Sequence, residues 1–281
     1  MSRRIVITGA SGMLGGELMR ELNGVIGLNV IGLKRAACDI TDREALLKCM
    51  ADAAPDVIIH LAAFTKVNEC QRNPERAHAV NSQGSRNVAD AANAAGARLV
   101  YISTDYVFDG RQRTPYLETD PVSPVNTYGL SKAAGERHAS TVEGSLILRC
   151  GWLFGDGGRN FVGAIRDQIR DGVALRVVQD QRGTPIWTRH LARCIARLLD
   201  SGVTGILHAA ASGECSWHEF ATAIVEITGA GVPVEATTTE TGPGITPRPS
   251  YSVLSDARLC QLGFGPLPHW REGLTEYLHP K

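Results

Sequence analysis

The sequence predicts an α/β protein: a doubly wound parallel sheet (Rossmann-type) with a smaller interleaved C-terminal substrate lobe. Three observations carry this expectation. Short apolar runs alternate with helical stretches through the first 150 residues. No hairpin signals separate them, so successive strands are joined by crossovers and run parallel. A glycine-rich turn follows directly on the first apolar run.

Taken in order, Arg3 to Thr8 reads as a buried strand, and a helical stretch runs from Glu17 to Leu22. Val25 to Leu33 is a second strand. Thr41-Asp42-Arg43-Glu44 has the form of a capping box opening a helix to about Asp52. Asp56 to Leu61 is the third strand. Asn73-Pro74-Glu75 places a cap residue before a first-turn proline, and one long Ala-rich helix follows to Gly96. Arg98 to Ser103 and Ser145 to Arg149 are the fourth and fifth strands. Beyond Trp152 the pattern loosens: Asn160 to Asp171 and His190 to Leu199 read as helices, Leu175 to Val178 as a strand. Gly205 to Ala209 is expected to rejoin the main sheet. Ser216-Trp217-His218-Glu219 is a second capping box, and Thr237 to Ser250 is a Thr/Pro/Gly-rich loop or flap over a site. This divides the chain into a dinucleotide-binding part, 1–154 plus about 186–210, and a substrate lobe, 155–185 and 211–281.

Composition narrows the function. The 281 residues are 43% apolar, enough for a sizeable core, and 29 basic residues balance 29 acidic ones. No basic run suggests a nucleic-acid partner. No apolar run approaches the roughly 18 residues of a membrane span, and the N-terminal apolar run is cut short by Thr8-Gly9, as in a strand rather than a signal peptide. Seven scattered cysteines without a C-x-x-C suit a reducing, cytoplasmic setting. A monomer or a homodimer is expected, and no ligand cluster for a metal is evident.

Gly9-x-x-Gly12-x-x-Gly15, with Ser11, Met13 and Leu14 between the glycines, stands where a dinucleotide-binding turn belongs. Glycines there allow a tight turn, backbone approach to a pyrophosphate and close helix–sheet packing. The spacing differs from G-x-G-x-x-G. An acidic residue closing the second strand would accept from a free ribose 2′-hydroxyl. The chain has Leu33-Lys34-Arg35 instead, and two cations suit a 2′-phosphate, which favours NADP(H), with NAD(H) possible. Asp39-Ile40 is then a candidate neighbour of the adenine.

Thr127-Tyr128-Gly129-Leu130-Ser131-Lys132 supplies the chemistry. In a helix, Tyr128 and Lys132 share a face. A phenol titrates near about 10, and a nearby ammonium should favour phenolate and lower that value. Thr104, after the fourth strand, should reach the same crevice at the carboxyl ends of the strands. Thr104 and Tyr128 could together hold one carbonyl oxygen, with hydride from nicotinamide and the proton from Tyr128.

The motifs TGASGMLG, LAAFTKV, STDYVFDG and YGLSK resemble the extended short-chain dehydrogenase/reductase superfamily. Gly151-Trp152-Leu153-Phe154-Gly155, Val177 to Gln181, Gly213 to Trp217, Arg248 to Leu254 and Pro268 to Arg271 are similar to its dTDP-4-dehydrorhamnose reductase family. The resemblance covers essentially the whole chain. It implies NADPH-dependent reduction of the 4-keto group of a nucleotide-linked deoxysugar, dTDP-4-dehydro-L-rhamnose to dTDP-L-rhamnose. It implies Thr104, Tyr128 and Lys132 as the catalytic set. For the cofactor it implies Gly9 to Gly15, Asp39, Ile40, Leu61, Ala62, Ala63 and Thr65, with Tyr128 and Lys132. For substrate it implies Thr104, Asp105, Tyr106 and Trp152. Arg182 and Arg248 are added as candidate cations for a diphosphate. Some members hold magnesium through glutamates at a dimer interface. Glu17 matches one position, but Arg189 stands at another, which argues against that metal. Val67-Asn68-Glu69-Cys70-Gln71 also departs from the family's V-D-x-A-E.

Three alternatives stay open. A 4,6-dehydratase would carry a Glu after Asp105, where this chain has Tyr106. A reductase or epimerase of another dTDP-4-keto-deoxysugar could use the same Thr-Tyr-Lys set. A regulatory NADP-binding subunit similar to the methionine adenosyltransferase beta subunit shares the glycine turn and the Tyr/Lys helix.

Overall fold

A computed structural model describes residues 2–280. Its centre is a six-stranded sheet. Five strands are β1 (Arg3–Thr8), β2 (Leu28–Leu33), β3 (Val57–His60), β4 (Arg98–Thr104) and β5 (Leu146–Cys150), and the sixth is Gly205–His208. The order across the sheet is 205–208, β5, β4, β3, β1, β2, with every pair parallel. The chain winds outward from β1 in both directions, so the sheet reverses between β1 and β3. In open α/β sheets ligands bind in the crevice at such a switch point. Val57, Ile58 and Ile59 are wholly buried, as parallel strands covered by helices on both faces require.

Several boundaries differ from the sequence expectation. Helix α1 (Met13–Leu22) begins four residues before Glu17, because Gly12 serves as the N-cap and Gly15 lies inside the first turn. β2 begins at Leu28; Gly24 and Gly27, with φ of +84° and +88°, turn the chain just before it. The cap of α2 (Arg43–Ala53) is Asp42, whose carboxylate accepts from Ala45 N at 3.0 Å. Thr41 instead donates its hydroxyl to Asp39. A short helix not read from the sequence, α3 (Val67–Arg72), comes first, and the expected long helix is interrupted: α4 (Pro74–His78), a π turn at Ala79–Gln83, then α5 (Gly84–Ala95). Asn73 makes no side-chain cap but donates to the Glu69 carbonyl. The π turn presents Asn81, which accepts from Phe64 N at 2.7 Å and donates to Phe64 O and Ser131 Oγ. π turns are frequent at functional sites. This one ties the loop after β3 to α6 (Thr127–Ala139).

In the C-terminal part, α7 (Phe161–Arg170) and α8 (Thr188–Leu199) flank the strand Leu175–Val178, which pairs in parallel with Val234–Thr237. The capping box of α9 (Trp217–Thr228) forms as read, with Ser216 and Glu219 bonding reciprocally. Residues 238–250 carry no regular structure but are tied down at both ends: Thr239 N–H donates to Asp180, and Pro247 O accepts from Asn126. One apolar cluster joins Ile5, Ile7 and Leu18 to Phe154, Leu191, Phe220 and Leu274. Among the described residues no helix is long and apolar enough to cross a membrane.

Candidate active site

The switch point opens into a cleft of about 600 Å³. Its first wall is the glycine turn. Gly9 adopts φ +71°, and a Cβ on it would stand 2.7 Å from Ala62 N. A Cβ on Gly15 would stand 2.4 Å from the Gly9 carbonyl. Both glycines therefore let backbone pack on backbone where the strand ends meet. Beneath them Thr8 Oγ1 accepts from Ala62 N, and His60 bridges Thr8 and Ser85 through its two ring nitrogens. Burial pushes His60 down to about 3, with the Lys132 charge adding to the effect, so the ring is a neutral brace between strands.

Most of the residues expected to hold a dinucleotide line this cleft: Gly9, Ser11, Gly12, Met13, Leu14, Gly15, Arg35, Asp39, Ile40, Leu61, Ala62, Ala63 and Thr65. The two cations after β2 part company. Arg35 borders the cleft and donates to Asp39 at 3.0 Å, whereas Lys34 lies outside the lining and its carbonyl closes the turn at Ala37 and Cys38. Hydrogen bonds from Thr41, with Arg35 assisting, hold the Asp39 carboxyl below its ordinary range.

At the other end, β4 delivers Thr104 and Asp105, and α6 delivers Tyr128 and Lys132. Asn126 caps α6, accepting from Gly129 N at 2.9 Å, and Gln71 accepts from Thr127. These bonds fix the first turn that carries Tyr128. A Cβ on Gly129 would stand 2.1 Å from the Tyr106 carbonyl, so the helix start packs directly on the segment after β4. Thr104 Oγ1 accepts from Tyr106 N and donates to Asp105. The ring of Tyr106 meets Tyr128 edge-on, with centroids 5.9 Å apart.

The electrostatics correct one expectation. Lys132 does not lower the Tyr128 phenol. Burial drives Tyr128 well above its ordinary value, and the Thr104 hydroxyl is the largest influence the other way. Lys132 is itself pushed down to about 7 by burial, against the opposing charge of Glu136. Its Nζ donates to the Ile102 carbonyl at 2.6 Å and lies over the Tyr101 ring. The cost of removing charge from water outweighs the attraction anticipated from helical spacing. Tyr128 is thus held as a neutral phenol, a proton donor.

Asp105 is buried, and burial raises its carboxyl to about 6, while Ser252 donates to it at 2.6 Å. A Cβ on Gly151 would stand 2.4 Å from that carboxyl carbon, so Gly151 makes room for it. Trp152 follows with φ +52°, uncommon for a bulky residue. Its indole is stacked on Trp217, 3.5 Å between centroids, and a Cβ on Gly183 would run into it, so Gly183 makes room for the ring.

Two substrate candidates sit differently from their sequence reading. Arg182 is outside the lining and engaged by Glu214 at 2.8 Å and Glu219 at 3.2 Å, so its charge is already balanced within the lobe. Arg248 donates to Tyr106 Oη and Asn68 Oδ1 at the edge of the site without lining it. Conversely, Trp217, Phe64 and Arg76 line the cleft without having been singled out. The capping box at Ser216 placed Trp217 at a helix start, which was the available signal. Glu17, considered as a metal ligand, is buried and faces Arg20 and Arg189, the latter at 3.8 Å.

A parallel sheet whose switch point carries a glycine turn, facing a neutral tyrosine with a lysine one helical turn on, defines a nicotinamide-dependent oxidoreductase of the short-chain dehydrogenase/reductase type. The particular family follows from comparison with known proteins: the chain belongs to the RmlD substrate binding domain family, which matches residues 3–281. It is 40% identical over 279 residues to the spore coat polysaccharide biosynthesis protein SpsK of Bacillus subtilis, covering 99% of this chain and 98% of that one. It is 41% identical over 281 residues to dTDP-4-dehydrorhamnose reductase of Mycolicibacterium smegmatis, covering 98% and 85%. The structure of dTDP-4-dehydrorhamnose reductase from Bacillus anthracis in complex with NADP superposes with a TM-score of 0.96 at 36% identity, over 100% of both chains.

Proposed function

We propose that this protein uses NADPH to reduce the 4-keto group of dTDP-4-dehydro-L-rhamnose, giving dTDP-L-rhamnose. The observation that carries the reading is that Thr104 and a Tyr128 phenol kept neutral by burial line the same cleft as the glycine turn. The relatives' activities and the NADP held by the Bacillus anthracis structure support it.

The cleft fits a dinucleotide by its own geometry. Gly9 and Gly15 lack the side chains that would fill the turn, and backbone N–H groups at a helix start suit a pyrophosphate. Gly12 to Gly15 and α1 would hold it, with Asp39 and Ile40 at the adenine and Arg35 at the ribose phosphate. Leu61 to Thr65 would line the middle, and Lys132 the nicotinamide ribose. A reduced nicotinamide bound there supplies the hydride.

The remaining chemistry belongs to side chains. Thr104 and Tyr128 hydrogen-bond the ketone oxygen and fix its face. Tyr128 passes its phenolic proton to that oxygen as negative charge develops there, which general acid catalysis makes worth about 10²–10⁴ in rate. Lys132 stabilises the phenolate left behind. Trp152, Trp217 and Tyr106 wall the sugar and exclude water. Asp105, Arg248 and the lobe formed by 155–185 and 211–281 carry the nucleotide-sugar specificity.

Incubating the protein with dTDP-4-dehydro-L-rhamnose and NADPH tests the proposal. One NADPH consumed per dTDP-L-rhamnose formed is expected. Isomerisation of the ketosugar with no net loss of NADPH would make the enzyme an epimerase. No turnover of this sugar, with turnover of another dTDP-4-keto-6-deoxysugar, would transfer the chemistry to that substrate.

A further inference from the structure

Two indoles meet at the sugar end of the cleft from different parts of the chain. Trp152 stands two residues past β5, and Trp217 is the first residue of α9; both line the cleft. Their rings stack with centroids 3.5 Å apart and planes 3° from parallel. Trp152 holds φ at +52°. A bulky residue in that region is strained and stays there only where its surroundings fix it. The C-terminal lobe supplies those surroundings. Arg182–Gly183 pairs antiparallel with Cys215–Ser216, with Gly183 opposite Cys215. The ladder therefore carries both the glycine that leaves room for the Trp152 indole and the strand that leads into Trp217. The start of α9 is itself fixed twice, by the capping box of Ser216 and Glu219 and by Arg182, which bonds Glu214 and Glu219. Phe161 of α7 packs on Trp217, 4.5 Å between centroids.

We propose that Trp217 is a positioning residue: it holds the Trp152 indole as the wall on which the sugar rests, and so sets how the ketone meets Thr104 and Tyr128. This rests on the reductase reading and goes beyond it by giving the lobe control of the ketone's pose. Placement matters because a reacting group displaced by about 1 Å can cost about 10²-fold in rate. Arg182 then serves the substrate without touching it, by clamping the ladder and helix start that present Trp217.

The test has a spectroscopic and a kinetic arm. The whole protein is labelled with 5-fluorotryptophan, and the Trp152 line in the fluorine NMR spectrum is assigned by its loss in Trp152→Gly, since glycine accepts a positive φ. One line held away from the free amino acid's position is expected in the parent and in Trp217→Phe. In Trp217→Leu the line should broaden, split or average toward the free position. A single line still held away from that position would mean that Trp152 keeps its place without Trp217, and would overturn the proposal. With dTDP-4-dehydro-L-rhamnose, Trp217→Leu should lower kcat/KM about tenfold or more with the KM for NADPH nearly unchanged, and Trp217→Phe should recover most of the loss. Because Trp217 acts through Trp152, adding Trp217→Leu to Trp152→Gly should cost little more than Trp152→Gly alone. Additive losses, or a loss in Trp217→Phe as large as in Trp217→Leu, would overturn the proposal. If Trp217→Leu does not fold, Trp217→Met, whose flexible side chain fills irregular gaps, takes its place with the same expectations. A parent inactive on this sugar would refute the reductase reading, while the fluorine spectra, which need no turnover, would still decide whether Trp217 holds Trp152.

Discussion

Lys132 Nζ donates to the Ile102 carbonyl at 2.6 Å, so the ammonium is anchored to β4 and not to the phenol four residues before it. In the proposed reaction its effect on Tyr128 comes when the phenol gives up its proton. Burial keeps the proton on Tyr128 beforehand. Tyr128→Phe keeps the ring and its edge contact with Tyr106 while removing the acid. NADPH affinity, measured by fluorescence titration, should be nearly unchanged, and kcat should fall about 10²–10⁴-fold.

Lys132 also predicts a pH dependence of stability. Its folded value, about 7, lies below its ordinary 10.5. Between those limits the unfolded chain binds more protons, so this residue makes stability rise with pH. The penalty for burying the ammonium is full below about 7 and gone above the ordinary value. Lys132→Met should therefore raise Tm over the parent most at pH 6, with the gain shrinking toward pH 10. Thermal melts at several pH values check this.

Gly15→Ala tests the turn. The added methyl would meet the Gly9 carbonyl and Ala10 backbone at 2.4–2.7 Å, and backbone gives way less readily than a side chain. Dinucleotide affinity should fall at least about tenfold, with a stability loss of about 1–3 kcal/mol for overpacking. Gly16→Ala, whose nearest neighbour is the flexible tip of Arg20 at 4.0 Å, should be near neutral.

Arg35→Ala tests cofactor choice. The guanidinium borders the cleft, and one charged hydrogen bond lost is worth about 1.5–3 kcal/mol. The KM for NADPH should rise roughly tenfold or more, with NADH little affected. Lys34→Ala, outside the lining, should change neither much.

The sheet was legible because its strands are short and apolar, with the central β3 and β5 wholly buried, and because Gly9, Gly12 and Gly15 mark a turn with few alternatives. Helix starts were less so. Asp42 took the cap from Thr41 because Asp39 engages the Thr41 hydroxyl, a contact between neighbours that spacing does not reveal. The break in the long helix comes from Asn81 bonding Phe64, a tertiary demand on an otherwise helical run. At the site, the strand-end residues and those of α6 line one cleft. Arg182 does not, since its partners Glu214 and Glu219 are brought to it only by folding. The direction of the Tyr128 shift was hidden for a related reason: helical spacing shows which charges are close, while desolvation depends on everything packed around them.

The proposed reaction delivers hydride to the carbonyl carbon at C4 and a proton from Tyr128 to the oxygen. It is tested most directly by turning over dTDP-4-dehydro-L-rhamnose with NADPH deuterated at the transferred position of the nicotinamide C4, in parent and Tyr128→Phe proteins. One deuterium at sugar C4 is expected in the parent's product, and the same labelled product at a greatly reduced rate in the variant. An unlabelled product, or a variant as fast as the parent, would contradict it.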